Sequence, residues 1–219
     1  MTEQKLKYKH GPWYRLLFRL LQLVLQGMFR ILYRVKVYDL HKVPRGGKVI
    51  LCSNHISYLD PVVIGAYIPR YTYFMAKKEL FKLRFLSDLV TYLNAFPVRR
   101  DTTDRNAFDT SLRILENDNL LGLFPEGTRS TDGIIRDGKK GIGLISLLSG
   151  SDILPVAISG SNKIIQKPSK RLYFPRIRFI VGDVIDTKQI IAENDRKVAV
   201  SLIVAETMKS IKELYEKIK

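Results

Sequence analysis

The chain has 219 residues, 37 Lys and Arg against 21 Asp and Glu for a formal net charge of +16, and 46% hydrophobic positions. That length suits one domain with a sizeable core, with or without an appendage, and the ordinary apolar content, with 14 Gly and 9 Pro, excludes a disordered or fibrous chain. The lone Cys52 forbids an internal disulfide and a cysteine-rich zinc site, and His10, His41 and His55 lack metal-ligand spacing, so no metal centre is expected and a reducing compartment is the simplest setting.

A strongly basic chain points to a polyanionic partner: nucleic acid, an anionic membrane surface or a phosphate-bearing substrate. The charge is concentrated early. Residues 1 to 48 hold eleven basic side chains against Glu3 and Asp39, a balance of +9, and the remaining 171 residues carry only +7.

Residues 12 to 36 read as helix, with Pro12 tolerated in its first turn. Arg15, Arg19, Gln22, Gln26, Arg30 and Arg34 recur every three or four residues and form one polar stripe, while Leu, Phe, Val, Ile and Met fill most of the remaining circumference. So wide an apolar face beside an arginine stripe is the pattern of a helix lying in a membrane interface, with Trp13 and Tyr14 at headgroup level. A helix packed on its own domain with its arginines in water stays open, and Gly27 leaves open one helix or two. No run free of Asp, Glu, Lys and Arg exceeds eleven residues, so no spanning helix is expected. Nucleic-acid binding would interleave basic residues with stacking aromatics. Here the charge stripes a leucine-rich helix, so no nucleic acid partner is expected.

The turn Pro44-Arg45-Gly46-Gly47 separates this region, residues 1–47, from a second, 48–219, in which strands and helices alternate. Strands are expected at 48–53, 71–76, 96–98, 120–124, 153–158 and 172–181, and helices at 61–68, 79–93, 104–116, 139–149 and 194–217. The class implied is α/β: a largely parallel mixed sheet flanked by helices, preceded by an N-terminal amphipathic helical motif. Ligands should gather at the carboxyl ends of its strands.

Three of those ends carry chemistry. The first reads Ser53-Asn54-His55-Ile56-Ser57-Tyr58-Leu59-Asp60-Pro61. His is the default general base near neutrality, and a carboxylate on its second ring nitrogen would fix its orientation. Residues five apart on one helix point about 140° apart, so His55 and Asp60 meet only if the segment between them turns, which Pro61 favours. Asp60 as a simple helix cap is the alternative. The second is Phe124-Pro125-Glu126-Gly127-Thr128-Arg129-Ser130, where an arginine fork beside hydroxyls and free N–H groups suits a phosphate. A Glu126–Arg129 ion pair tying down the loop is the alternative. The third, Phe96-Pro97-Val98-Arg99-Arg100, places two arginines after a short strand.

Together these residues resemble the glycerolipid acyltransferases of the lysophosphatidic acid acyltransferase type. His55 and Asp60 match the family's histidine-four-residues-aspartate motif, preceded by Asn54. Phe96 to Arg100, Phe124 to Ser130 and Ile153-Leu154-Pro155-Val156 are similar to its second, third and fourth motifs. Asn94 stands where the family often has Gly. The resemblance implies transfer of a fatty acyl group from acyl-CoA or acyl carrier protein to the 2-hydroxyl of 1-acylglycerol 3-phosphate (lysophosphatidic acid), with no further cofactor, at the cytoplasmic face of a membrane by a peripheral or monotopic enzyme. It implies His55 as base, oriented by Asp60. Arg100, Glu126, Gly127, Thr128 and Arg129 would hold the glycerol phosphate, and Lys77, with Lys78 as its rival, would lie near the thioester. Another lysophospholipid or lyso-aminolipid acceptor, and a non-catalytic basic membrane-binding protein, are the competing readings.

Overall fold

The computed structural model describes residues 11–82, 87, 90–99, 104–130, 132–164 and 171–219. Among them seven strands form one sheet: β1 (Lys36–Tyr38), β2 (Val49–Ser53), β3 (Thr72–Lys77), β4 (Ala95–Val98), β5 (Leu120–Leu123), β6 (Asp152–Ser159) and β7 (Arg178–Val181), in the order β1-β7-β6-β2-β5-β3-β4. The five from β6 to β4 run parallel. β7 turns back against β6, and β1 follows β7, so the sheet is mixed and largely parallel. The central strand is β2, buried at all five positions, as a strand covered on both faces requires.

Alternation along the strands sorts the core into two layers. Ile50, Cys52, Leu121 and Leu123 pack on one side against α3 (Arg105–Glu116), α4 (Gly141–Ser149) and α6 (Arg196–Ile218), a short α5 (Thr187–Glu193) leading into the last. Val49, Leu51, Leu120 and Leu154 pack on the other side against α2 (Asp60–Tyr67). α1 (Pro12–Tyr33) lies over α2, burying Phe29 and Tyr33 against Val63 and Ala66. Asp104 caps α3, its carboxylate accepting from Ala107 N.

Three expectations change. The first helix ends at Tyr33, short of the expected residue 36, and the following Lys36–Tyr38 pairs with β7, so the region before residue 47 contributes an edge strand as well as a helix. Three residues are too few to leave a periodic signal. The strand expected over 172–181 is regular only from Arg178. The expected helix 79–93 begins as a 3-10 turn at Lys78–Phe81, and most of its centre lies outside the described residues. Gly27 breaks nothing: α1 is one helix of 22 residues.

α1 packs on α2 through part of its polar stripe. The two glutamines of its polar stripe turn inward, Gln22 donating to Gly65 O and Ile68 O (2.8 and 3.1 Å) and Gln26 to Ala66 O (2.7 Å), while the four arginines are exposed, Arg19 donating to Pro69 O (3.0 Å). These carbonyls lie at the C-terminal end of α2, where acceptors are left without intrahelical partners. The leucines face outward instead, with Trp13 77% and Ile31 79% exposed, and Leu16, Leu17, Leu20, Leu23 and Val24 between them. By length and composition alone α1 could cross a membrane, its few arginines being spread too widely to prevent it. Its bonds to α2 nevertheless hold it along the domain.

Candidate active site

The site is built where β2, β5 and β6 end side by side. Asn54, the first residue after β2, bridges to β6: its Nδ2 donates to Ile158 O and its Oδ1 accepts from Ile158 N, both at 2.9 Å. This two-point bond fixes the backbone from which His55 projects. The chain then turns rather than continuing as helix, and His55 Nδ1 lies 2.9 Å from Asp60 Oδ2. The same oxygen accepts from Ile56 N and Ser57 N, each at 2.7 Å, while Oδ1 accepts from Ser161 Oγ at 2.6 Å.

Asp60 is fully buried, and these four donors, with its place in the first turn of α2, compensate its burial as a charged carboxylate. An acceptor so surrounded assigns the imidazole proton to Nδ1 and leaves Nε2 with its lone pair, bonded to no described residue. The helix-cap alternative fails on geometry: the Asp60 carboxylate bonds backward to residues 56 and 57, and the α2 N-terminus has no side-chain cap. Cys52 is excluded as a nucleophile by place and chemistry, being wholly buried in β2 with its thiol pushed well above the ordinary value by desolvation.

The loop after β5 supports His55 from beside it. Glu126 Oε1 accepts from His55 N (3.1 Å), Glu126 Oε2 accepts from Arg136 N (3.0 Å), and Ser130 N donates to His55 O (2.8 Å). Glu126 therefore makes no ion pair with Arg129 and faces inward, 6% exposed, and its described bonds position the backbone of the base. Gly127 closes the turn with its N donating to Phe124 O (2.9 Å) at φ +72, a conformation glycine takes without strain. The Lys139 side chain fills the space where a Cβ on Gly127 would stand, 2.8 Å from its Cε and Nζ. Thr128 is exposed. Arg129 holds its guanidinium 3.3 Å above the centre of the Tyr58 ring, so that its charge stays at the site without a carboxylate partner among the described residues.

Lys77 ends β3 on the same sheet edge but is not joined to this cluster: its side chain is exposed and lies 3.8 Å from Glu79. Arg100 lies outside the described residues, although Asp104 anchors the chain just before it through Arg99 N (2.8 Å). Ser161, Phe124 and Tyr58 are functional neighbours that sequence reasoning missed. Phe124 stacks on the His55 ring at 4.0 Å, and Phe74 continues the stack at 5.9 Å from Phe124. Phe74 fits there because residue 122 is glycine; a Cβ at that position would meet its ring at 2.3 Å.

Phe74 and Tyr58 also border an apolar cavity of about 160 Å³ between α1, α2 and β3, further lined by Leu21, Leu25, Val62 and Met75. Tyr58 is thus shared, carrying Arg129 on its ring and bounding the cavity. Among the described residues no group of His, Cys, Asp and Glu is arranged to hold a metal.

With this geometry in hand, likeness to known proteins is specific. An acyltransferase family model matches residues 34–159. The 1-acyl-sn-glycerol-3-phosphate acyltransferase of Bacillus subtilis (strain 168) is 28% identical over 152 residues, 68% of this chain and 72% of that protein. Its counterpart in Streptococcus pneumoniae is 30% identical over 161 residues, 72% of this chain and 58% of that protein. The crystal structure of the 1-acyl-sn-glycerophosphate (LPA) acyltransferase, PlsC, from Thermotoga maritima superposes with a TM-score of 0.76 over 94% of this chain and 82% of that one, and at 24% identity it is a likeness of fold.

Proposed function

Because the chain belongs to the acyltransferase family, we propose that it moves a fatty acyl group from an acyl thioester, carried on coenzyme A or acyl carrier protein, to the 2-hydroxyl of 1-acylglycerol 3-phosphate. The product is phosphatidic acid. The names of its relatives in Bacillus and Streptococcus support this acceptor. The observation that carries the reading is a buried His55–Asp60 pair whose open Nε2 has no serine or cysteine to activate among the described residues, set between a stacked arginine and an apolar cavity. In a serine hydrolase such a pair activates the enzyme's own hydroxyl; here the substrate's hydroxyl takes that position.

His55 Nε2 accepts the proton of the 2-hydroxyl as its oxygen attacks the thioester carbonyl carbon. The imidazolium so formed is stabilised by Asp60. The carbonyl becomes an oxyanion, met by backbone N–H groups and by the positive charge of Lys77 on the same sheet edge. The C–S bond then breaks, and the departing thiolate takes the proton back from His55. Since the acyl group arrives already activated as a thioester, the reaction as written calls for no metal or further cofactor.

Arg129, Arg100 and the Gly127-Thr128 backbone receive the phosphate. Glu126 acts through the backbone of His55. The cavity beside Tyr58 takes apolar chain, and the outward leucines of α1 seat the domain on the cytoplasmic face of an anionic membrane that supplies one substrate. Thiol release by purified protein across a panel of lysophosphatidic acid, lysophospholipids with diester headgroups and lyso-aminolipids tests the assignment. Highest kcat/KM with lysophosphatidic acid is expected. A preference for another acceptor overturns the substrate, and no release with any acceptor overturns the enzyme.

A further inference from the structure

The exposed apolar surface of α1 continues onto a second part of the chain. Leu172, Tyr173 and Phe174 are three consecutive large apolar side chains, all exposed, Leu172 at 58% and Phe174 at 50%. They precede β7 on an extended segment that returns to the end of α1. Tyr173 N donates to Ile164 O (2.8 Å), Ile177 N donates to Tyr33 O (3.0 Å), and the Phe174 ring lies 5.7 Å from that of Tyr33. The last turn of α1 contributes exposed Ile31 and Leu32 beside this junction. Basic residues flank it on both segments, Arg30, Arg34 and Lys36 on one and Arg171 and Arg176 on the other, and neither 30–38 nor 171–178 contains an acid.

We propose that Leu172, Tyr173 and Phe174 form a second membrane contact, inserting into an anionic bilayer beside α1. The proposal rests on the reading of α1 as an interfacial helix. An apolar and aromatic trio bordered by arginines has the composition of an interfacial anchor, the rings at headgroup depth and the cations on anionic phosphates. Its consequence is orientational. One helix lying in the interface leaves the domain free to roll about the helix axis, whereas a second contact beside the axis fixes the angle and with it the direction in which the cavity between α1 and α2 meets the lipid.

Trp13 is the chain's one tryptophan and sits on the outer face of α1, so it reports that helix alone. In Trp13→Phe/Phe174→Trp the sole tryptophan reports the trio. With vesicles of phosphatidylcholine and phosphatidylglycerol containing brominated acyl chains, the proposal expects a blue shift and quenching from both positions. Leu172→Ser/Phe174→Ser should weaken partition into these vesicles about tenfold or more, with thermal unfolding and turnover of a short-chain, monomerically dissolved acceptor unchanged. Quenching at position 13 without quenching at 174 overturns the second contact alone. Quenching at neither overturns the reading of α1 and the proposal with it, and neither result bears on the acyltransferase assay.

Discussion

Asp60→Asn isolates the charge of the orienting carboxylate from its shape. In the structure Oδ2 faces three donors, His55 Nδ1, Ile56 N and Ser57 N, and Oδ1 faces one hydroxyl, Ser161 Oγ. An asparagine amide cannot put its NH₂ among three donors, so its carbonyl must take the Oδ2 position and its NH₂ must face Ser161, whose hydroxyl rotates from donor to acceptor. The Nδ1 proton and the direction of the ring are therefore kept, and only the negative charge is lost. Opposite unit charges about 4 Å apart at an effective dielectric constant of about 20 attract by about 4 kcal/mol, equivalent to about three decades in rate. The two N–H groups and the Ser161 hydroxyl already share part of that charge, so the expected fall in kcat is about 10²- to 10³-fold, with little change in KM for either substrate. Continuous thiol release at saturating thioester and lysophosphatidic acid reads it, with circular dichroism and thermal unfolding to establish that the fold survives. A variant that folds normally and keeps kcat within about fivefold would refute the argument that Asp60 works by charge.

Arg129→Ala should raise KM for lysophosphatidic acid about tenfold or more with a smaller change in kcat, as loss of a charge-assisted contact to phosphate predicts; an unchanged KM counts against phosphate binding. Gly122→Ala places a methyl 2.3 Å from the Phe74 ring, itself stacked on Phe124 and through it on His55. It should cost about 1–3 kcal/mol of stability and reduce turnover, and a wild-type melting temperature would show that the stack yields without cost. Asp132 is held well below the usual aspartate range by the Ser130 hydroxyl and then by Arg136. Because its folded-state value is depressed, the stabilisation is complete above the ordinary aspartate range and is lost as acid titrates the folded carboxylate. The gap in urea midpoint between wild type and Asp132→Asn should therefore be widest near neutrality and narrow in acid, and a gap that widens in acid contradicts this origin.

Much of this site could be read from the sequence because its residues are close along the chain. The five-residue spacing of His55 and Asp60, the proline that follows and the apolar strand that precedes them required a turn, and the turn brings the two side chains together. Class and sheet came from alternating strand and helix patterns, which follow directly from burial on two faces. What could not be read depends on distance in sequence or on direction in space. Ser161 reaches Asp60 across 101 positions, with no local signal beyond lying past another strand end. The bond from His55 N to Glu126 depends on the adjacency of β2 and β5, which its motif does not reveal. The period of α1 was legible, but a period fixes which residues share a face and not which of them turn inward; the bonds of Gln22 and Gln26 to α2 carbonyls decide that. Asn94, at φ 60, takes the left-handed conformation that glycine would take, and asparagine is among the residues that tolerate it.

In the proposed mechanism His55 takes the proton from the acceptor hydroxyl. Its most direct test is kcat for thiol release by His55→Ala at saturating thioester and lysophosphatidic acid, on protein whose vesicle binding and melting temperature match wild type. A fall of at least ~10²-fold is expected; near-normal turnover would contradict the proposed role of His55.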